Sequence, residues 1–320
     1  MINVCRDKCL DVANIFRKMR FHIADFTDER FFPGENDDLE DILRFFFFAV
    51  AIDHRTRIKG FKYAAVIDGV EYKGADLLFK LLKDKYDEDP GIFDPANMMK
   101  ITPNDIISWL NIGNAVIWDP ETRAFLLRDA GFKLVKLYDG RVKNLIDASG
   151  GRVGGISGFL GLIKVFRAYE DPVEKKAFLL LKFLLRRRLY DVKDPGMLQV
   201  PVDNHLTRIA VRLGLVRPSK ELIDVFRWKR KATFEEDVII RLQVRRAYKL
   251  VALKAGLDPL VMDDLLWTMG RSCCRVCCVN CNKCRIPVLD IEGCPFKEVC
   301  DSYATEIKIN EHLYEDTWYY

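Results

Sequence analysis

A chain of 320 residues, 49% hydrophobic and 31% charged, is long enough for two lobes, and its 12 prolines and 19 glycines are too few for a low-complexity or disordered protein. No uncharged apolar run approaches the roughly 20 residues that span a bilayer, and the charged start MINVCRDKCL lacks the apolar core of a signal peptide, so the expectation is a soluble, cytoplasmic monomer. A formal charge of +4 permits contact with nucleic acid without requiring it.

Residues 1–115 form the first expected region. Asp37-Asp38-Leu39-Glu40-Asp41 leads into Ile42 to Ile52, a run apolar on all sides and therefore buried, with the acidic residues complementing a helix N-terminus. Asp53-His54-Arg55-Thr56-Arg57 closes that element, with His54 read as structural. Phe61 to Tyr72 reads as a short hairpin turning at Asp68-Gly69. Gly74 to Tyr86 has helical spacing with Leu77, Leu78, Phe79, Leu81 and Leu82 inward, and Thr102-Pro103-Asn104-Asp105 opens a further helix carrying Trp109 as a core residue.

The second region, 116–270, opens at Asp119-Pro120 with a helix to about Leu137, followed after Asp139-Gly140 by a short helix at Val142 to Ala148. Gly150 to Gly155 is dense in glycine, yet no Gly-Lys-Ser/Thr follows, so it reads as a helix-to-helix loop that at most offers one anion its backbone N–H groups. Gly158 to Tyr190 reads as helical except around Asp171-Pro172. A helix from Phe234 to Ala255 should turn Val238, Ile239, Leu242, Tyr248 and Val251 inward, and Pro259 to Gly270 forms the next. Between them lies Asp203, placed to cap an amphipathic helix ending at Gly214. Arg186-Arg187-Arg188 and Arg227-Trp228-Lys229-Arg230-Lys231 are basic enough to touch phosphate. Three consecutive arginines fan around a helix, so the second cluster is the better candidate.

The third region, 271–320, holds eight of the ten cysteines, between Cys273 and Cys300. Without a secretion signal this density argues for metal rather than disulfides. Zinc-knuckle spacing is present at Cys274-x2-Cys277 and Cys281-x2-Cys284.

Pro201-Val202-Asp203-x-His205-x-x-Arg208-Ile209-Ala210-x-Arg212-Leu213-Gly214 resembles the catalytic-Asp segment of the helix-hairpin-helix base-excision DNA glycosylases, the superfamily of endonuclease III and the 8-oxoguanine glycosylases. The resemblance implies a two-lobed, all-α fold with at most one small hairpin, and a C-terminal cysteine-rich metal loop. It implies an N-glycosylase that is associated with the nucleoid and acts on a base flipped from double-stranded DNA. Asp203 would stabilise the sugar cation, which needs an anion nearby. His205 and Arg208 would contact substrate, and Arg227, Trp228, Lys229 and Arg230 would contact DNA. Lys175-Lys176-Ala177 resembles the helix that bears the Schiff-base lysine of the bifunctional enzymes, which makes Lys175 the nucleophile and Lys176 its reserve. The family's glycine hairpin is replaced here by Asp171-Pro172-Val173-Glu174, as it is degenerate in archaeal 8-oxoguanine glycosylases. Cys274-x6-Cys281 and Cys294-x5-Cys300 match the two halves of the family's iron–sulfur pattern, with a longer middle gap. That implies a 4Fe-4S cluster on Cys274, Cys281, Cys294 and Cys300, with Cys284 as substitute for Cys281 and zinc as the alternative metal. The order of features also resembles the queuosine-salvage N-glycosylases, which act on a free modified nucleotide and lack the cysteine loop. A non-catalytic, metal-stabilised nucleic-acid-binding protein is the remaining alternative.

Overall fold

The computed structural model describes residues 2–56, 62–276, 281–289, 291–305, 309–315 and 317–320. It is mostly helical, with two two-stranded antiparallel ribbons among the described residues. The chain divides into two compact units that interleave in sequence, one of residues 1–24 with 198–317 and the other of 25–197 with 318–320. The first two dozen residues pack with the helix Phe234–Ala255.

The unit of residues 25–197 is built on the helix Leu39–Ala51. Asp38 caps it by accepting from the N–H groups of Glu40 and Asp41, and Phe45, Phe46, Phe47 and Phe48 are all fully buried. Burying each phenylalanine contributes about 2 kcal/mol, which is why a four-residue aromatic run serves as a central strut and not a surface face. Phe46 stacks on Phe183 of the helix Lys175–Arg186 with ring centroids 5.2 Å apart, and Phe47 stacks on Tyr169 at 5.4 Å. The expected hairpin pairs Ala64–Ile67 with Val70–Lys73, and the positive φ of both Asp68 and Gly69 supplies the tight turn that matches strand twist. Gly150 to Gly155 is a loop, as its composition suggested. The stretch after it is less helical than expected: only Phe159–Ile163 and a short 3-10 turn, Arg167–Tyr169, precede Lys175. Trp109 is half-buried at the rim of a surface hollow and not in the core.

In the other unit the helix Arg6–Phe16 packs along Phe234–Ala255, and Ile2–Val4 pairs antiparallel with Val216–Pro218. Thr233 and Glu236 form a reciprocal capping box at the start of Phe234–Ala255, and Gly256 ends it with φ of 68°. The inward face of that helix differs from the apolar periodicity. Asp237, Ile240, Arg241, Val244, Tyr248 and Val251 are buried, whereas Ile239 is 47% exposed. Asp237 and Arg241 displace aliphatic residues because they complete a buried network with His312. The His312 Nε2 lies 2.7 Å from Asp237 Oδ1, and Arg241 Nε and Nη2 donate to Asp237 Oδ2 at 3.0 and 2.9 Å. No helix among the described residues is long and apolar enough to cross a membrane.

Candidate functional site

Asp203 stands at the N-cap of the helix Asn204–Leu213, 9% exposed, with extended backbone. Its Oδ1 accepts from the Leu206 N–H at 2.9 Å, and its carbonyl accepts from the Thr207 hydroxyl at 2.7 Å. Among the described residues Oδ2 takes no hydrogen bond. The helix stays in place because Leu206, Ile209, Ala210 and Leu213 are buried against the helices Phe234–Ala255 and Pro259–Ser272. Gly214 closes it in the left-handed conformation at φ of 79°, and a Cβ there would lie 2.1 Å from Asp301 Oδ2, so both backbone and space require glycine. The buried Tyr248 hydroxyl donates to the Leu206 carbonyl at 2.8 Å and closes the inner wall. Burial pushes its pKa well up, and the nearby charges of Cys274 and Asp203 push it further.

Arg208 and Arg212, one turn apart, tie this helix to the cysteine loop. Arg208 donates to the carbonyls of Cys274 at 3.0 Å and Gly270 at 2.8 Å and pairs with Glu311; at 1% exposure it has no face for a substrate. His205 is partly exposed, its Nε2 3.5 Å from Glu311 Oε1. Arg212 donates to the carbonyls of Ile309 at 2.7 Å and Arg275 at 2.8 Å, and to Cys274 Sγ at 3.2 Å.

The cysteines of the loop fall into two sets. Cys273 and Cys284 are joined in a disulfide, so the expected substitution of Cys284 for Cys281, and a zinc knuckle at Cys281 and Cys284, do not hold in this arrangement. Cys274, Cys281, Cys294 and Cys300 are free thiols; Cys277 and Cys278 lie outside the described residues. The Cys294 thiol is hydrogen-bonded to Cys281. That bond holds the Cys281 thiol at about 7, helped by the charges of Arg212 and Lys297, and raises Cys294. Cys274 is close enough for its charge to act on Cys294 and Cys300, and the Cys300 thiol donates to the Arg212 carbonyl at 3.2 Å. Among the described residues no three His, Cys, Asp or Glu side chains close around a single point.

In the other unit, the start of the helix Lys175–Arg186 is capped from outside: the buried Asp171 accepts from Val173 N–H at 3.0 Å and Lys175 N–H at 2.9 Å, the role a glycine hairpin leaves to its own backbone. Lys175, 8% exposed, holds Asp53 through Oδ2 at 3.1 Å. Lys176 is fully buried, its Nζ donating to the Ala51 carbonyl at 2.5 Å and lying 3.4 Å from His54 Nδ1. Desolvation, reinforced by Lys175, pushes the Lys176 amine well below its ordinary value of 10.5. Burial and the cations around it push His54 well below 6.5. His54 Nε2 is buried with no hydrogen-bond partner among the described residues. Arg123, fully buried and lowered to about 10 by desolvation, donates to the carbonyls of Trp118, Ile52, His54 and Arg55. Asp53, His54 and Arg123 complete a buried polar cluster around Lys175 and Lys176 that residue spacing did not reveal. The acidic-apolar-Asp-His-Arg order around Leu39–Ala51 was its only trace.

The basic stretch after residue 226 is not a free cationic stripe. Lys229 pairs with Asp224 at 3.1 Å, Arg230 makes two bonds of 2.7 Å to Glu236, and Lys231 pairs with Glu315 at 3.1 Å. Trp228 is 50% exposed with φ of 58°, its indole N–H donating to the Glu311 carbonyl at 2.8 Å, and Arg227 is exposed. Arg187 of the triple-arginine run turns inward to the carbonyls of Phe26, Pro33 and Gly34. Of two surface hollows, one at Met98 and Trp109 and one at Leu222 and Ile239, neither takes in Asp203, Lys175 or Lys176.

No protein-family model and no curated protein matches the chain. Among solved structures, the 8-oxoguanine DNA glycosylase of Pyrobaculum aerophilum, in complex with 8-oxoguanosine, is similar over 83% of this chain and 87% of that one, with 16% identity and a TM-score of 0.43. Similarity at that level assigns nothing to particular residues.

Proposed function

We propose that the chain is an N-glycosylase that releases a damaged or mispaired base from DNA. The observation that carries this reading is Asp203: a buried carboxylate with one oxygen committed to its own helix and the other uncommitted, within a segment that resembles the glycosylase motif. As the C1′–N bond breaks, its electron pair leaves with the base and positive charge gathers on the sugar. A fixed anion facing that charge lowers the barrier, by a factor of about 10²–10³ for one preorganised group. The bond is hidden inside a duplex, so the base must first be flipped out.

Lys175 supplies the lyase step in this scheme. Asp53 Oδ2, 3.1 Å from its Nζ, holds the side chain in place. At an abasic sugar the free amine bonds to the C1′ aldehyde, water leaves to give a Schiff base, and loss of the C2′ proton expels the 3′ phosphate. Lys176 is enclosed, its Nζ on the Ala51 carbonyl, and takes no part in this scheme.

Cys274, Cys281, Cys294 and Cys300 would be the donor set of a 4Fe-4S cluster in this reading, since all four are free thiols and four thiolates are what such a cluster takes. The cluster would pin the loop against the Asp203 helix. The pairing of Lys229, Arg230 and Lys231 with carboxylates favours a second reading, a free modified nucleotide of the queuosine 5′-phosphate type as substrate, since such a ligand needs no long basic face. A panel of lesion-bearing duplexes and free modified nucleotides, assayed for released base, separates the two. Release from a duplex supports the first reading and release from nucleotides alone the second; release from neither contradicts both.

A further inference from the structure

From the structure we infer that Glu311, on the segment that follows the cysteine loop, is a positioning residue for Asp203. Its carboxylate engages three side chains in the first turns of the Asp203 helix. Oε2 accepts from Asn204 Nδ2 at 2.8 Å, while Oε1 pairs with Arg208 and lies 3.5 Å from His205 Nε2. Asn204 and His205 are the two residues that follow Asp203, so whatever fixes them fixes the torsions that aim the carboxylate.

Glu311 is itself held rigidly. The Trp228 indole donates to its carbonyl at 2.8 Å, and the neighbouring residues are tied on both sides. The Asn310 N–H donates to Phe226 at 3.0 Å, the Ala232 N–H to Leu313 at 2.7 Å, and the buried His312 bonds to Asp237 at 2.7 Å. Residues 309–315 thus form a strap anchored on the helices Ile223–Phe226 and Phe234–Ala255, and its Glu311 carboxylate turns onto the Asp203 helix. The unusual left-handed conformation of Trp228 has its reason here: it turns the indole back onto the strap. A helix start held only by its own cap frays on the timescale of local opening, whereas one clamped by a charged side chain does not.

The inference rests on the reading of Asp203 as the group that faces the reacting sugar, and two measurements on the full chain keep the two apart. The Leu206 N–H sits on Asp203 Oδ1, so its hydrogen exchange reports the carboxylate's posture directly. Glu311→Ala should speed exchange at Leu206 about tenfold or more and lower kcat for base release by about tenfold to a hundredfold with KM little changed, as a small misplacement does. Glu311→Gln, which keeps an acceptor but not the charge, should fall between, and Glu315→Gln, at the far end of the strap where the carboxylate pairs with Lys231, should match the wild type in both. If Leu206 exchange and kcat are both unchanged in Glu311→Ala while Asp203→Asn is inactive, the strap is overturned and Asp203 stands. If the wild-type chain releases no base from any substrate, the Asp203 reading fails, and Leu206 exchange alone decides the strap: faster in Glu311→Ala sustains it, unchanged overturns it.

Discussion

Two helix starts carry the charged groups on which the functional reading turns, and they are stabilised in opposite ways. Asp203 is an anion at a helix N-terminus, where the macrodipole and the free N–H of Leu206 both favour it. Lys175 and Lys176 are basic side chains in the first turn of their helix, where the dipole and burial both disfavour a positive charge. They are tolerated because the compensation comes from elsewhere: Asp53 for Lys175, and for Lys176 and Arg123 the carbonyls at the C-terminal, negative end of the helix Leu39–Ala51. The contrast teaches that the carboxylate is where local physics puts a carboxylate, whereas the lysines are held against local preference. Groups kept at such a cost are the ones whose removal should stabilise the fold while changing what it does.

The sharpest way to break the comparison is at its cheap end. Asp203→Asn keeps an equally good cap, so melting should move little, while base release should fall by about 10²-fold or more. At the costly end, Lys175→Ala should abolish borohydride trapping on abasic DNA, and Lys176→Met should leave trapping in place and raise stability, because a buried amine gives way to a well-packed apolar chain. Trapping that survives Lys175→Ala but not Lys176→Met would reverse the two assignments.

A smaller effect sharpens the same point through pH. His54 is held below its ordinary value of 6.5, so as pH falls through that value the unfolded chain takes up a proton that the folded chain refuses. Stability should therefore fall with acidification by up to about 1.4 kcal/mol per pH unit from this group, and His54→Leu should remove that slope. Chemical denaturation at several pH values between neutrality and pH 5 reads it; identical slopes in both proteins would show that His54 protonates freely. Cys294→Ser tests the loop: if the four free thiols hold an iron–sulfur cluster, the purified wild type absorbs in the visible and the variant loses that absorption together with its iron.

Much of the helical framework was legible because its ends carry local chemistry. Asp38, Thr102 and Asp119 cap helices by the short-range bonds their side chains make, and Gly214 ends a helix in a conformation other residues resist. The Asp68-Gly69 turn belongs to the same class. What periodicity misjudged was the buried face of Phe234–Ala255, since an apolar count cannot see that Asp237 and Arg241 satisfy each other and His312. The partners of the candidate site were equally hidden. Lys175 meets Asp53 across 122 positions and Asn204 meets Glu311 across 107, and no local pattern marks either pair. The basic stretch at Arg227 to Lys231 misled for the same reason: Asp224, Glu236 and Glu315, which neutralise it, are recruited by folding.

The central claim is that an uncommitted oxygen of Asp203 does chemistry while the other merely starts a helix. One sample of Asp203→Asn, assayed for base release and melted in the same buffer as the wild type, tests both halves at once. The expected result is release lost with the melting temperature within a few degrees of the wild type. Undiminished release, or release lost only because the helix has come apart, would contradict it.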